Sequence, residues 1–168
     1  SAGVTQEIDA ISLIAASTTA AFNSTVKAAT LTTSGTGTVT FNDRVTLTGA
    51  LTVAQNSTIT LGSGIVAGET AITTTAAGFT TAATVNMPQT FNNGTITLID
   101  TSTAVDAAVD AALLTINNNV LTTYTAGANA SDASKLDILA VRKTDALVAT
   151  ELNITTSQAS ALNNAATA

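Results

Sequence analysis

Residues 39–64 read VTFNDRVTLTGALTVAQNSTITLGSG, and this stretch decides the fold. Val39 and Phe41 flank Thr40, Val45 and Leu47 flank Thr46, Leu51 and Val53 flank Thr52, and Ile59 and Leu61 flank Thr60. An apolar–threonine–apolar triplet has the period of two of a half-buried strand. Threonine suits the outer face, because β-branched side chains fit a pleated surface. Between the triplets stand Asn42-Asp43, Gly49, Asn56-Ser57 and Gly62-Ser63-Gly64, all turn formers, and Ile65 follows as the next apolar residue. Val39, Val45, Leu51 and Ile59 open strands six, six and eight residues apart. Together they make a unit of about 20 residues, the size of one coil of a parallel β-helix. The expected fold is therefore mainly β, a parallel β-helix or solenoid with short helical segments at its ends. An antiparallel β-sandwich is the alternative.

Working outward, the period changes on both sides. Upstream, Val4, Ile8, Ile11 and Ala15 are spaced four, three and four apart, which predicts a helix over 4–16. A strand over Ala10–Ile14 is the alternative there. Val26 and Leu31 then sit among Ala and Thr. Downstream, Ile72, Phe79, Val85 and Phe91 are further inward candidates. A turn at Asn92-Asn93-Gly94 leads into Ile96, Leu98 and a strand ending near Asp100. Val105, Val109 and Leu113 return to helical spacing over 103–114. KLDILAVRK alternates Leu136, Ile138 and Ala140 with Asp137 and Leu139, which predicts another strand after a polar loop at 126–135. The tail, 144–167, reads as two short helices broken at Asn153-Ile154, the second opened by a Thr155/Gln158 capping box. The chain is read as one β-rich domain over 1–168.

Composition limits the chemistry. The 168 residues hold 36 Thr and 33 Ala, but only 10% are charged, and there is neither His nor Cys. The common zinc, haem and iron–sulfur ligands are thus missing, as are thiol and Ser-His-Asp catalysis. A net charge of −6 opposes phosphate backbones. A hydrophobic content of 45% with few charges is the reverse of a disordered composition. No apolar run reaches the roughly 18 residues of a membrane span. The chain opens at Ser1 with no basic, apolar leader, as expected of a mature or excised product.

The constellations that carry chemistry elsewhere have simpler readings here. Asp106 and Asp110 lie one helical turn apart and suit a solvated face near a helix N-terminus better than a cation site. Lys135, Arg142 and Lys143 alternate with Asp132, Asp137 and Asp145, a mixed charged surface. The tail ATELNITTSQASAL has the outline of a helix-turn-helix but no Lys or Arg after Lys143, so nucleic acid is not an expected partner. Asn-x-Ser/Thr begins at Asn23, Asn56, Asn93, Asn129 and Asn153, close to the roughly four that chance supplies. Gly62-Ser63-Gly64 lacks the lysine of a phosphate loop. No catalytic, cofactor-binding or metal-binding residue is assigned, and no cofactor.

VTFNDRVTLTGALTVAQNSTITLGSG resembles β-helical rungs in large bacterial autotransporter surface proteins. FNNGTITLID, residues 91–100, resembles late rungs of those passengers, and residues 134–162 resemble the pattern near their ends. The resemblance implies an exported β-helix that displays or adheres. The family's membrane barrel is not among these residues, which implies an excised fragment or a stand-alone subunit with similar rungs. No functional residue is carried over.

The expected function is that of a non-enzymatic structural protein, outside the cell or at its surface. It would be a self-assembling filament, a surface-layer subunit or an adhesive segment, built through strand and apolar-stack contacts. Its expected partners are copies of itself, with cell-surface glycans second. The alternative is a carbohydrate-binding or carbohydrate-active β-helix module, with Asp43 and Glu69 brought together as a carboxylate pair.

Overall fold

The computed structural model describes residues 8–13, 18–54, 56–79, 82–88, 90–103 and 111–166. Within them lie fourteen strands: β1 Ile8–Leu13, β2 Thr19–Phe22, β3 Val26–Ser34, β4 Thr38–Phe41, β5 Val45–Leu47, β6 Ala50–Ala54 and β7 Thr58–Leu61, then β8 Thr70–Thr74, β9 Ala76–Phe79, β10 Ala83–Asn86, β11 Gly94–Thr101, β12 Leu114–Asn117, β13 Thr122–Ala128 and β14 Lys135–Arg142. Two helices follow, α1 Asp145–Leu152 and α2 Thr156–Ala165. The molecule is mainly β.

The strands form two sheets. One holds five, in the order β12-β10-β7-β4-β2, all parallel. The other holds nine, in the order β13-β14-β11-β8-β5-β3-β6-β9 with β1 also on β3. It is mixed, because β14 runs antiparallel to both β11 and β13. From β1 to β12 every pairing among the described residues is parallel, and this excludes the antiparallel sandwich.

The triplets set the register. Val39 pairs with Ile59 and Phe41 with Leu61, so the spacing of twenty in the sequence is the offset between β4 and β7. Ile59 pairs in turn with Val85, and Val85 with Ile116. In the mixed sheet Val26 meets Val45, and Val45 meets Ile72, which meets Ile99. These inward residues belong to a single apolar core shared by both sheets, and Val39, Ile59, Ile72 and Val85 are wholly buried. Each such side chain stabilises the fold by about 1.5–3 kcal/mol relative to exposure.

The helix expected over 4–16 is not what the described part of that segment forms. Ile8–Leu13 is a strand, laid parallel on β3 with Ile11 beside Leu31 and Leu13 beside Thr33. Ile11 and Leu13, two apart, face the core, while Ile8 is 44% exposed. A short helix gains little on its own, whereas the free edge of β3 offers a complete ladder. The helical spacing over 103–114 falls largely on residues 104–110, outside the described residues. The polar loop expected at 126–135 is shorter, because β13 continues to Ala128.

The helical tail stands where its spacing placed it. Thr144 caps α1 by accepting from the Leu147 amide, and Asn153 ends that helix in the left-handed conformation at φ 53°. Thr155 and Gln158 form the capping box of α2. Val148, Ala149 and Ala159 make a second small core against Leu121 and Ile154. Asn163, almost fully buried, ties this unit to β14. Its Nδ2 donates to the Lys143 carbonyl (3.3 Å) and to Asp145 Oδ1 (2.6 Å), while Arg142 Nε donates to its Oδ1 (3.2 Å).

Candidate functional site

Asp43 and Glu69 do come together, but around a cation. Arg44 reaches Asp43 Oδ1 and Glu69 Oε1, each at 3.8 Å. The turn after β4 presents Asp43, and the turn before β8 presents Glu69. Asp43 also accepts from the Arg44 amide (2.7 Å) and the Thr25 hydroxyl (3.0 Å). The amide first, then the hydroxyl, hold its carboxyl below the ordinary value of 3.8. Glu69 Oε2 accepts from the Val66 amide at 3.2 Å. Thr25, Arg44, Thr46, Glu69 and Thr73 border an open depression of about 540 Å3 here. Acid–base work needs one carboxyl kept protonated beside one kept ionised. Asp43 is held ionised, and Arg44 is paired with both carboxylates.

The C-terminal basic residues are likewise engaged. Lys135 Nζ lies 3.1 Å from Asp132 and 3.8 Å from Asp100, and Lys143 Nζ lies 2.6 Å from Glu151. Arg142 is taken by Asn163, through both its side chain and its backbone carbonyl. The Ser134 hydroxyl, then its amide, then Lys135, lower Asp132 to about 2. Asp132 in turn, followed by Asp100, raises Lys135. Some of these contacts are local, as Lys135 with Asp132, and others cross the fold, as Lys135 with Asp100 between β11 and β14 and Arg142 with Asn163. Asp106 and Asp110 lie outside the described residues. Among the described residues no three His, Cys, Asp or Glu gather as metal ligands, and no helix is long and apolar enough to cross a membrane.

Among the described side chains, the aromatic rings Phe22, Phe41, Phe91 and Tyr124 face inward. Phe41 is fully buried and stacks on half-buried Phe22, with ring centres 5.5 Å apart. Phe91 stacks on Tyr124 at 6.0 Å, and the tyrosine hydroxyl donates to the Phe91 carbonyl (2.7 Å). Burial raises the Tyr124 phenol above its ordinary value. Gly62 and Gly64 serve close approach. A Cβ on Gly62 would stand 2.1 Å from Asn42 Oδ1, and one on Gly64 would stand 2.3 Å from the Asn42 carbonyl oxygen.

The most regular surface was not singled out by the sequence reading. On the outer side of the five-stranded sheet, Thr19, Thr38, Thr58, Thr84 and Thr115 stand side by side, one per strand. Two residues along each strand runs a second row: Ala21, Thr40, Thr60, Asn86 and Asn117. Asn86 Nδ2 donates to Thr60 Oγ1 (3.1 Å), and Asn117 Nδ2 donates to Asn86 Oδ1 (2.7 Å). None of these ten residues is charged. The signal lay in the recurrence of Thr-Val-Thr at 38, Thr-Ile-Thr at 58, Thr-Val-Asn at 84 and Thr-Ile-Asn at 115. Unequal offsets between the copies hid it from a search for one fixed period.

Comparison of the chain with protein-family models, with curated proteins and with solved structures finds no match.

Proposed function

We propose that the chain is a β-solenoid segment with a structural, adhesive role outside the cell, working through its faces and its strand end rather than through a reaction. The observation that carries this is alternation. From β1 to β12 the chain passes back and forth between the two sheets, and each return lays a strand parallel to one placed nineteen to thirty-one residues earlier. Stacked units of that kind contact only their neighbours and present long, regular faces.

The two ends of the stack differ. At one end an antiparallel hairpin, β13–β14, and two helices follow the last parallel strand. At the other, β1 and β2 each have one ladder partner among the described residues. Such an edge accepts a further strand. A second copy of the chain is the partner we assign to it. The outermost strands of the other end, β12 and β13, also have one ladder partner each among the described residues, but there the antiparallel hairpin and the helices break the parallel run, and we assign them the role of limiting growth to short assemblies. The engagement of Asp43 and Glu69 by Arg44, and the inward rings, favour this reading over a carbohydrate-active module.

Electron microscopy of the purified protein over a concentration series tests the proposal. The expected images are discrete elongated particles that join end to end in pairs as concentration rises. Compact single particles at every concentration would overturn self-association. Long filaments would instead overturn the blocking role given to the hairpin and helices.

A further inference from the structure

We propose that the outer face of the five-stranded sheet binds ice. This goes beyond the structural reading above, because ice contact needs the face alone and is indifferent to the ends of the stack. The face is an array. Neighbouring strands in a sheet lie about 4.8 Å apart, and alternate residues along a strand lie about 6.6 Å apart. The rows Thr19-Thr38-Thr58-Thr84-Thr115 and Ala21-Thr40-Thr60-Asn86-Asn117 therefore form a two-dimensional grid. No register shift interrupts it across the five strands. Oxygen rows in the faces of crystalline ice repeat on the same few-ångström scale.

The chemistry of the grid fits a lattice of water. Each threonine offers a hydroxyl that both donates and accepts, beside a methyl group around which water orders. Charged groups would bind their own oriented hydration shells, and the grid carries none. A neutral hydroxyl, methyl and amide surface complements a neutral lattice that is itself all donors and acceptors. The array is also held in place before contact. Val39, Ile59 and Val85, on the inner side of the same strands, are wholly buried. Threonine is stiff about χ1, and the Asn117–Asn86–Thr60 chain of hydrogen bonds fixes much of the second row. Preorganisation lowers the ordering cost of binding.

The outer face of the mixed sheet is the internal comparison. One of its rows runs Lys27-Thr46-Thr73-Asp100, with a charge at each end, while the uncharged Ser12-Thr32-Thr52 row beside it is shorter. A crystalline polysaccharide is the other repeating hydroxylated surface, but sugars favour aromatic platforms, and the ten grid residues include no ring.

The test uses the whole chain at low concentration. Ice shaping, inhibition of ice recrystallisation and retention of labelled protein in a growing ice front are measured for the parent chain, Thr58→Tyr, Thr58→Val and Thr46→Tyr. Circular dichroism reports the fold of each. The expected result is activity in the parent, loss in Thr58→Tyr, and retention in Thr58→Val and Thr46→Tyr. If Thr58→Tyr fails to fold, Thr115→Tyr on the exposed edge strand takes its place. A folded parent that neither shapes ice nor enters it overturns the proposal, and so does equal loss from Thr46→Tyr. Retention on crystalline cellulose without retention in ice overturns it too, and reassigns the grid to polysaccharide. None of these outcomes bears on end-to-end association, which the concentration series reads separately.

Discussion

Thr33 breaks the pattern that its neighbours keep. Most threonines of the strands face outward, but Thr33 points into the core between Leu13 and Val53 and is 2% exposed. Its hydroxyl is buried without a hydrogen-bond partner. A hydroxyl in that position forfeits its bonds to water and gains none, a cost of about 1–3 kcal/mol. Valine has nearly the same shape and no polar atom. Thr33→Val is therefore expected to stabilise the protein by about 1 kcal/mol, read as a higher urea midpoint at unchanged slope. A lower midpoint would mean that the hydroxyl is satisfied in solution. The glycines act through the opposite constraint, space. Gly62 and Gly64 lie against Asn42, about twenty residues back in the chain, where any side chain would collide with it.

At the scale of elements, one side chain gathers several of the polar bonds that attach the C-terminal helices. Asn163 joins α2 to the Lys143 carbonyl, to Asp145 at the start of α1 and to Arg142 on β14. Asn163→Ala removes the bonds to several of these half-buried partners at once. We expect a loss of about 2 kcal/mol, with proteolysis at the C-terminal tail accelerating before the sheets unfold. Unchanged protease resistance would show that the small apolar core of Val148, Ala149 and Ala159 holds the helices unaided. These helices were legible in the sequence, because caps and a capping box are local signals that the structure keeps. The triplets of β4 to β7 were legible for the same reason. β1 was legible only as the alternative strand over Ala10–Ile14. Its stripe of Ile8 and Ile11 matched a helix, and its ladder with β3, twenty residues on, decided for the strand. The threonine grid was half legible: each triplet showed an outward threonine, but their alignment depends on loop lengths between strands. The meeting of Asp43 with Glu69 was anticipated, while the guanidinium between them was not, since nothing in the strand spacing marks Arg44.

Over the whole molecule, the order of the strands predicts a gradient of local stability. In a stack, an inner strand is laddered on both sides and an end strand on one. β4, β7 and β10 each have two parallel neighbours, whereas β2 and β12 have one within their sheet. About half the amides of an end strand point away from its only neighbour, so opening it breaks few bonds. Opening β7 requires separating strands whose inward side chains, Ile59 and Leu61, are almost wholly buried. Native-state hydrogen exchange on dilute protein should therefore find β4, β7 and β10 protected near the global limit and β2 well below it. Raising the concentration adds a second argument. If copies join through the β1 and β2 end, protection in β2 climbs with concentration while protection in β7 stays fixed. Slow exchange in β2 at the highest dilution would contradict an open end there. Fast exchange in β2 at every concentration would place association, if microscopy finds any, on another face of the stack.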